Sequence, residues 1–497
     1  MGGDKTVVVV GTGPAGAVAT LQLIQAGLDV TLLEAGVERA ARGFTARIGG
    51  VTVVRKHRSL PLRSKGIVAT GDPHAVLYED LSPGGLTNHW SCAVPRFSPD
   101  DFLDGRSAGE AFTWPLDYAE IAPWYDRVEP LLRIAGGASD VPHLTAGKIR
   151  RVLTLGDTWA PVAEAARLEG LGVAPIPYAY GSATTMTMSG TVFNAFVRLV
   201  KPARRSRHLD IRYGARVTRL EWSGNSKRVT GVIFRHAQTG MDHRIPCQAV
   251  VLAAGAVNTA KLLLQSTSPD FPSGLGNTDG VLGRYLHDHP LAKLELELSS
   301  PLSFQPSAYV TRSPVDRSVP LYAAACLQWS SAKLFAASLL TRHPGRSLST
   351  GFNLFGTMAP SEANFVSVGS AEAASTDRTP GLILHIHHPP ESARTLVATR
   401  DRLVAILERA RLGPRVQQWI VNPVGTSVHY AGTCRMHASP KYGMLNRWSR
   451  LHAVCNVAVA DSAAFTTGPE KNPALTAMAL AARASQRLAD DLLAGVI

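Results

Sequence analysis

The first residues whose spacing suggests chemistry are Gly11, Gly13 and Gly16, which follow four consecutive valines and begin a largely apolar stretch. The valine run predicts a buried strand of a parallel sheet, and the apolar stretch predicts a helix. In such a turn the first glycine allows the tight bend, the second lets the backbone approach a pyrophosphate, and the third lets the helix pack closely on its strand. The N-terminal amides of the helix would face that pyrophosphate. The pattern predicts a dinucleotide site, and the alternative is an ordinary glycine-rich βα turn.

A second strand is predicted at residues 29–33, and it ends at Glu34, whose carboxylate could accept hydrogen bonds from both ribose hydroxyls. Near the other end of the sequence, another buried strand ends at Asp461, and an alanine-rich helix follows with Pro473 at its first position. A dinucleotide domain that begins near the N-terminus and is completed near the C-terminus must enclose inserted material. The strand-rich middle of the chain is therefore predicted to be a substrate domain, with the ligand at the seam.

The predicted fold class is α/β, with α+β character overall. A Rossmann-like domain is expected to span residues 1–290 and 427–497, and an antiparallel-sheet substrate domain to span residues 291–426. A length of 497 residues with 45% hydrophobic content is ample for a large core. We expect these segments to fold around a shared ligand site.

Composition limits the partners that are expected. No run of eighteen apolar residues occurs, so we expect no membrane association, and the first strand leaves no room for a leader. The five cysteines are scattered, odd in number and without metal spacing, which indicates reduced thiols in a cytoplasm. The net charge is +13, but the densest basic run, residues 201–208, lacks interleaved aromatic residues. A solvated helix end explains that run better than a nucleic-acid patch.

Two polar segments could contribute to a ligand site. Paired glycines and small polar residues at 81–95, the glycine-pair loop, mark a place where backbone meets a ligand closely. The histidines at 385, 387 and 388 superficially suggest a metal site, but no acidic or cysteine ligands accompany them. We therefore predict no metal and favour a strand end that lines a cavity.

Several segments resemble signatures of the glucose-methanol-choline (GMC) flavin oxidoreductases. They are residues 84–89, 114–118, 282–290, 429–436, 459–461 and 472–481, which occur in the order of the family and span nearly the whole chain. The run at 89–93 and the Asn-Pro helix are most similar to pyranose oxidases and related bacterial sugar oxidases. Residues 150–203 match no pattern, and His437 and Asn446 stand where the family usually has glycine and aspartate.

The resemblance implies FAD as the cofactor and alcohol oxidation by hydride transfer to flavin N5. By position, His429 matches the catalytic base of the family, and Asn472 matches the neutral partner that holds the substrate oxygen. The helix that begins at this asparagine would stabilise a developing alkoxide or the flavin N1–C2=O edge. The alternative for His429 is a buried structural histidine.

The pattern and the resemblance together imply a set of cofactor-binding residues. These are Gly11, Gly13, Pro14, Ala15, Gly16, Glu34, Ala35, Gly84, Gly85, Thr87, Asn88, His89, Ser91, Val217, Ala254, Gly255, Asp461 and Pro473. His89 resembles a position that carries covalent flavin in some members, and both bonded and dissociable FAD stay open. Ser91 would lie near flavin N5 or stabilise a turn, and Asp461 would hold a ribitol hydroxyl.

The leading functional hypothesis is oxidation of one hydroxyl of a sugar, glycoside or aminocyclitol-type polyol. Glu391, Ser392 and Arg394, together with the three histidines before them, could bind several hydroxyls, or they could be surface residues. The alternatives are a dehydrogenase for a non-sugar natural-product alcohol, a non-redox lyase that keeps FAD as structure, and a nucleotide-binding module without catalysis. Molecular oxygen and an organic electron acceptor are both open as the oxidant.

Overall fold

The computed structural model describes residues 6–38, 45–48, 51–54, 62–63, 67–180, 185–187, 193–304, 306–312, 321–329, 346–369 and 381–497. Its strands are β1 (Thr6–Val10), β2 (Asp29–Leu33), β3 (Thr45–Ile48), β4 (Val51–Val54), β5 (Leu62–Arg63), β6 (Ile67–Gly71), β7 (Tyr78–Glu79), β8 (Ala135–Gly136), β9 (Arg151–Val152), β10 (Val173–Pro175), β11 (Thr185–Thr187), β12 (Leu209–Arg212), β13 (Ala215–Ser223), β14 (Arg228–His236), β15 (Asp242–Pro246), β16 (Ala249–Leu252), β17 (Leu291–Ser303), β18 (Ala308–Val310), β19 (Ala324–Trp329), β20 (Arg346–Gly356), β21 (Phe365–Val368), β22 (Leu382–Ile386), β23 (Arg415–Val421) and β24 (Val457–Val459). Its α-helices are α1 (Pro14–Gln25), α2 (Pro99–Ala108), α3 (Tyr118–Leu132), α4 (Ala160–Leu168), α5 (Lys201–Ala203), α6 (Ala256–Gln265), α7 (Pro390–Arg409) and α8 (Ala474–Leu493).

A five-stranded parallel sheet, in the order β12-β2-β1-β16-β24, forms the centre of the first domain. The valines of β1 lie between β2 and β16 and are completely buried from Val7 to Val9, as expected for a central parallel strand. Helices α1 and α8 are joined by a hydrogen bond from Gln22 Nε2 to Gln486 Oε1 of 2.6 Å. The predicted Rossmann-like domain is therefore confirmed, and its last strand and helix come from the C-terminal part of the chain.

The second large sheet is antiparallel and six-stranded, in the order β10-β18-β19-β20-β17-β23. Leucines of α7 pack against its fully buried residues Leu294 and Phe352. This sheet confirms the predicted antiparallel insertion. Strand β10 joins it from the first segment, however, and β6 pairs with β22 in a separate sheet. Strand pairing thus crosses the expected domain boundaries, and the division at residues 290 and 426 stays a prediction.

The helix after the last parallel strand begins one residue later than predicted. Pro473 precedes α8 as its cap residue, and Ala474 is the first helical position. Asn472 therefore lies two residues before the first turn, close to the free amides of the helix. Among the described residues, no helix has both the length and the apolar character needed to span a membrane.

Candidate active site

Gly11, Gly13 and Gly16 occupy three different environments in the first turn. A Cβ atom on Gly11 would lie 2.5 Å from the carbonyl oxygen of Ala253, and its φ of +99° is rarely adopted by other residues. A Cβ atom on Gly16 would lie 2.0 Å from the carbonyl oxygen of Gly11. Gly13 has no atom within 4 Å of its missing side chain. The first and third glycines are thus required by the fold, whereas the second leaves open space for a ligand.

Thr12 connects the carboxylate of Glu34 to the glycine-pair loop. Its hydroxyl donates a hydrogen bond to Glu34 Oε2 and accepts one from the amide of Gly84 at 2.9 Å. The amide of Gly36 donates to the other carboxylate oxygen at 2.8 Å. Burial raises the pKa of Glu34, and the hydrogen bonds from Thr12 and Gly36 oppose that rise. Sequence reasoning missed Thr12, although its place between Gly11 and Gly13 was a signal.

The glycine-pair loop is held by its own polar side chains. Gly84 has a φ of +94° and packs on Asn194, whose side chain donates to Asn88 Oδ1 at 2.6 Å. Thr87 Oγ1 accepts the amide hydrogen bond of Ala195 at 3.0 Å. Thr87 and Asn88 therefore fix the shape of the loop, and their proposed contact with a cofactor stays a prediction.

His89 is anchored by one ring nitrogen only. Its Nε2 lies 2.6 Å from Asp80 Oδ2, and both side chains are buried. Burial acts to raise the pKa of Asp80, but the hydrogen bonds from His89 and Ser82 outweigh burial and lower it. The Nδ1 of His89 is buried without a hydrogen-bond partner among the described residues. Ser91 is exposed, and its Oγ accepts the amide hydrogen bond of Ala93 at 3.4 Å, which suits the turn-stabilising alternative.

Asp461 links the end of β24 to the start of α6. Its Oδ2 accepts hydrogen bonds from the Gly255 amide at 2.8 Å and from the Thr259 hydroxyl at 2.7 Å, and its Oδ1 accepts from the Ala463 amide at 2.9 Å. Burial raises the pKa of Asp461, and these three contacts oppose the rise. Gly255 leaves open space where a side chain would be. The contact of Asp461 with a ribitol hydroxyl stays a prediction.

The remaining predicted cofactor residues lie around these two turns. Pro14 and Ala15 form the first turn of α1, and Ala35 follows Glu34 at the end of β2. Ala254 lies between β16 and α6, while Val217 lies in β13 opposite Phe234. The backbone placement thus puts most of the set at the carboxyl edge of the parallel sheet, where ligands of open α/β sheets bind.

The structure brings together the two predicted catalytic residues. Asn472 Nδ2 lies 3.2 Å from His429 Nε2. The other ring nitrogen of His429 lies 3.0 Å from His289 Nδ1, with the two rings edge to face. His429 is half-buried as a residue, and desolvation by the surrounding protein lowers its pKa to about 4. His429 is therefore neutral near pH 7 and could accept a proton.

His289 determines which nitrogen of His429 is free. His289 donates a hydrogen bond to the backbone of Pro469, which as a proline offers only its carbonyl. Because Nδ1 of His289 faces His429, the proton of the neutral His289 ring must lie on Nε2. His289 Nδ1 then accepts a hydrogen bond from His429. His429 then donates from Nδ1 and keeps the lone pair of Nε2 beside Asn472. His289 lies in the recognised segment 282–290, but sequence reasoning gave it no role.

Asp288 fixes the backbone next to the candidate base. Its Oδ1 accepts the amide hydrogen bond of His429 at 2.7 Å and that of the Ser427 hydroxyl. Burial raises the pKa of Asp288 to about 6, against the opposing effect of these hydrogen bonds. A β-bridge between His287 and Ala431 joins the same two segments. The segment before β17 therefore carries the scaffold of the candidate base.

Comparison with known proteins agrees with this arrangement. Residues 113–291 and 360–481 match the N-terminal and C-terminal family models of the GMC oxidoreductases. The chain belongs to the GMC oxidoreductase family.

Relatives of this GMC oxidoreductase include enzymes for different alcohols. It is 28% identical to a 2-methyl-1,2-propanediol dehydrogenase of Mycolicibacterium austroafricanum, over 98% of this chain and 96% of that one. It is 25% identical to a 6'''-hydroxyparomomycin C oxidase of Streptomyces lividus, over 98% and 92%. An FAD-dependent oxidoreductase from Chaetomium thermophilum has the same fold, with a TM-score of 0.66 and 15% identity, over 99% of both chains.

The residues of this GMC oxidoreductase fit the FAD that its family binds. Gly13 and Gly255 leave space at the ends of two neighbouring parallel strands, and Glu34 ends a third. His89 Nδ1 is a buried polar atom that lacks a protein partner among the described residues. Open space beside helix N-termini suits a pyrophosphate, and the unpaired nitrogen suits a group that enters the loop.

A cavity of about 420 Å³ lies between the segment 282–290, the segment before β21 and the segment after β22. Phe112, Tyr285, Tyr322, Asn364 and His387 are among its lining residues. Within the described chain, neither His429 nor Asn472 lines it. The cavity therefore does not enclose the predicted catalytic pair.

The polar segment expected to bind substrate hydroxyls is dispersed in the structure. His385 stacks on Phe365 in the small sheet of β21, β22 and β6, whereas His387 lines the cavity. Glu391 and Arg394 pair with each other on the first turns of α7, and Ser392 is buried there. His388 is half-buried, and desolvation lowers its pKa to about 4. Among the described residues, no group of three or more possible ligands could hold a metal ion.

Proposed function

We propose that this GMC oxidoreductase oxidises an alcohol to a carbonyl compound with His429 as the catalytic base. The observation that carries the proposal is the contact between Asn472 Nδ2 and His429 Nε2, together with His289 on the opposite ring nitrogen. An unprotonated Nε2 next to an amide donor is the arrangement needed to deprotonate and hold a hydroxyl. FAD, when bound, supplies the redox chemistry by accepting hydride at N5.

The side chains act on the substrate hydroxyl from two sides. His429 Nε2 takes the hydroxyl proton, and its low pKa of about 4 keeps the ring neutral and ready at neutral pH. Asn472 donates from its amide to the substrate oxygen, and the N-terminus of α8 stabilises the negative charge that develops there. The Nδ1–H of His429 remains bonded to His289, so the ring keeps its orientation through the proton transfer.

Three parts of the chain would hold the cofactor. Gly13 and the first amides of α1 would bind the pyrophosphate, and Glu34 would bind the ribose. The glycine-pair loop would lie against the flavin ring with His89 inside it. If a covalent bond forms, it forms through His89 Nδ1, since Asp80 occupies Nε2. Gly255 and Asp461 would lie along the ribitol chain.

We propose a sugar, glycoside or aminocyclitol-type polyol as the substrate class. Two relatives are named for alcohols that carry further polar groups, a 1,2-diol and a hydroxylated paromomycin. We propose that the part of the substrate away from the reacting hydroxyl occupies the cavity, whose lining combines aromatic rings of Phe112, Tyr285 and Tyr322 with polar groups of Asn364 and His387. A polyhydroxylated ring needs both, because apolar ring faces pack on aromatics and each unpaired buried hydroxyl costs about 1–3 kcal/mol. The diol relative keeps a small non-sugar alcohol as the second candidate.

The test is anaerobic stopped-flow reduction of the flavin by a panel of alcohols. The panel contains sugars, glycosides, aminoglycosides, 1,2-diols, choline, sterols and aryl alcohols. We expect reduction by a polyol, and we expect His429→Ala to keep its FAD but to slow reduction at least about a hundredfold. His243→Ala, on exposed β15, is the matched control. Fast reduction only by choline or a hydrophobic alcohol would overturn the substrate class, and no reduction by any alcohol would favour the lyase alternative.

The oxidant is tested in the same instrument. The relatives are named both dehydrogenase and oxidase, so their names do not decide between acceptors. The rate at which molecular oxygen reoxidises the reduced enzyme is compared with the rate for a quinone at equal concentration. This comparison distinguishes an oxidase from a dehydrogenase. A rate with oxygen that exceeds the turnover rate would identify an oxidase.

A further inference from the structure

A cluster of buried charges lies immediately before Asn472. Lys471 Nζ is 2.7 Å from Asp101 Oδ2 and 3.0 Å from Glu470 Oε1, and all three side chains are completely buried. Lysine, aspartate and glutamate are almost never fully buried unless they are paired. The charges therefore belong to a specific internal arrangement rather than to a solvated surface.

Arg312 extends this cluster into the substrate domain. Its Nη1 lies 2.6 Å from Asp104 Oδ2, its Nη2 lies 3.3 Å from Asp101 Oδ1, and its Nε lies 3.6 Å from Glu470 Oε2. The last two are charge contacts without hydrogen-bond geometry. Asp101, Asp104, Arg312, Glu470 and Lys471 form the buried ion cluster. It joins α2, the segment after β18 and the segment before α8.

The segment that the buried ion cluster holds has little backbone support of its own. Within the described chain, no amide from Thr466 to Asn472 donates a hydrogen bond to another backbone carbonyl. Side chains replace that support: the Trp114 indole donates to Thr467 Oγ1 at 2.7 Å, and the Tyr309 hydroxyl donates to Glu470 Oε1 at 3.3 Å. The position of Asn472 therefore depends on side chains anchored in two other parts of the fold.

We propose that the buried ion cluster is a positioning device that holds Asn472 against His429 and couples it to the substrate domain. This inference rests on the proposed function, because it assigns a role to the contact between these two side chains. Lys471 directs its side chain into the cluster, while the next residue reaches His429 at 3.2 Å. A backbone fixed at Glu470 and Lys471 leaves the asparagine amide little freedom relative to the base.

Energetics favour positioning over simple stabilisation. Buried ion pairs contribute little net stability, since desolvation offsets their attraction, and well-packed apolar residues would serve stability equally well. Burial acts to raise the pKa of Glu470, but Lys471 and Arg312 outweigh it and keep this acid ionised. Burial raises the pKa of Asp104 to about 6, against the opposing effect of Arg312. Directional charge contacts fix one geometry of the segment more strictly than apolar packing would.

The decisive variants remove one pair while keeping the charge balance. Lys471→Met alone leaves the three acids of the cluster with Arg312 as their single cation and is expected to lower the melting temperature. Asp101→Asn with Lys471→Met removes one charge of each sign, and the amide oxygen of the new side chain would still accept the Ser98 amide hydrogen bond that Asp101 accepts at 2.6 Å. Tyr309→Phe removes only the hydroxyl that contacts Glu470, and this variant is expected to fold in any case. Glu164→Gln with Arg167→Met, an exposed pair on α4, is the matched control.

Hydrogen exchange and flavin reduction are measured on FAD-loaded protein. In the double variant we expect FAD content and melting temperature to recover, while amides of residues 466–476 exchange at least about tenfold faster than in wild type. Exchange in β1 and β16 should not change, which separates local loosening from global destabilisation. We expect flavin reduction to slow at least about tenfold, with substrate affinity changed much less, and Tyr309→Phe to show a smaller effect in the same direction.

Two outcomes separate this inference from the proposed function. Unchanged exchange of residues 466–476 in both the double variant and Tyr309→Phe would overturn the positioning role, whatever reaction the enzyme performs. Faster exchange with an unchanged reduction rate would also overturn it, since Asn472 would then need no fixed position. If wild-type flavin is not reduced by any alcohol, the proposed function fails, and the exchange measurement still decides whether the cluster holds the segment.

Discussion

Replacing His289 with leucine tests the assignment of the free nitrogen on His429. His289 Nδ1 lies 3.0 Å from His429 Nδ1, and with the proton of His289 assigned to its Nε2 it accepts the Nδ1–H of His429, which leaves Nε2 of His429 unprotonated next to Asn472. His289→Leu removes that acceptor. The neutral ring of His429 must then either bury an unpaired donor or move its proton to Nε2, where it can no longer act as the base.

The magnitude follows from the cost of the unpaired donor. A buried N–H without an acceptor costs about 1–3 kcal/mol, which corresponds to roughly a 5- to 150-fold loss of the productive tautomer. The rate of flavin reduction should fall by the same factor, because only that tautomer accepts the hydroxyl proton. FAD content and melting temperature should change little, since the leucine side chain is close in volume to the buried His289 ring and fills its place.

The assay is anaerobic stopped-flow reduction, normalised to bound flavin, at saturating substrate. His289→Gln is the matched control, since its amide oxygen can accept the same hydrogen bond and should restore most of the rate. A leucine variant that reduces its flavin at the wild-type rate would refute the tautomer argument. An equal loss in the leucine and glutamine variants would show that His289 acts through packing instead.

Three further predictions follow from the geometry. The rate of flavin reduction should stay level from neutral pH down to about pH 5 and fall as the pH drops through about 4. The reason is that His429 must be neutral and its pKa is lowered to about 4. A fall in rate near pH 6.5, the ordinary pKa of histidine, would contradict this prediction. Gly13→Val should fold but lose FAD at least about tenfold more readily on dialysis, since Gly13 borders open space, whereas Gly16→Val should fail to fold because its Cβ would lie 2.0 Å from Gly11 O. If His89 carries the flavin, acid-precipitated protein stays yellow and His89→Ala releases the colour; a colourless wild-type pellet would exclude the bond.

The dinucleotide turn could be predicted because its causes are local. The glycine spacing follows from contacts within the turn itself, such as the 2.0 Å approach of a Gly16 Cβ to Gly11 O. The valines of β1 are apolar on both faces because a central strand of a parallel sheet is covered on both faces. Neither feature depends on distant side chains. The same reasoning predicted that Glu34 and Asp461 follow the ends of strands, and the structure confirms both of these positions.

The environment of the base could not be predicted, since it joins distant segments. His289 and His429 are 140 residues apart, and they meet because His287 forms a β-bridge with Ala431. No periodicity in the sequence indicates that pairing. Sequence reasoning instead weighed the histidines at 385, 387 and 388, which lie together in the chain but are dispersed in the structure. Closeness of these histidines in the sequence therefore did not bring their side chains together at one site.

Lys471 shows why hydropathy fails at the buried ion cluster. A lysine is expected to be exposed to solvent, and an aspartate such as Asp101 is expected in the first turn of a helix. Asp101 does cap α2 through the Ser98 amide, but it also binds the ammonium group of Lys471 at 2.7 Å. One carboxylate thus serves a local cap and a contact 370 residues away in the sequence. Only the second role bears on the active site.

Substrate choice is harder to predict than the reaction because different residues control them. In the proposed mechanism the reaction depends on His429 and Asn472, both in the C-terminal part of the chain, and on a cofactor turn near the start. The cavity draws its lining from several separate segments, among them those of Phe112, Tyr322 and His387. If the substrate extends into this cavity, as proposed, substitutions in those segments change the alcohol that is bound without altering the proposed base. Relatives with 25–28% identity can therefore carry names that specify a small diol or a paromomycin while belonging to one family.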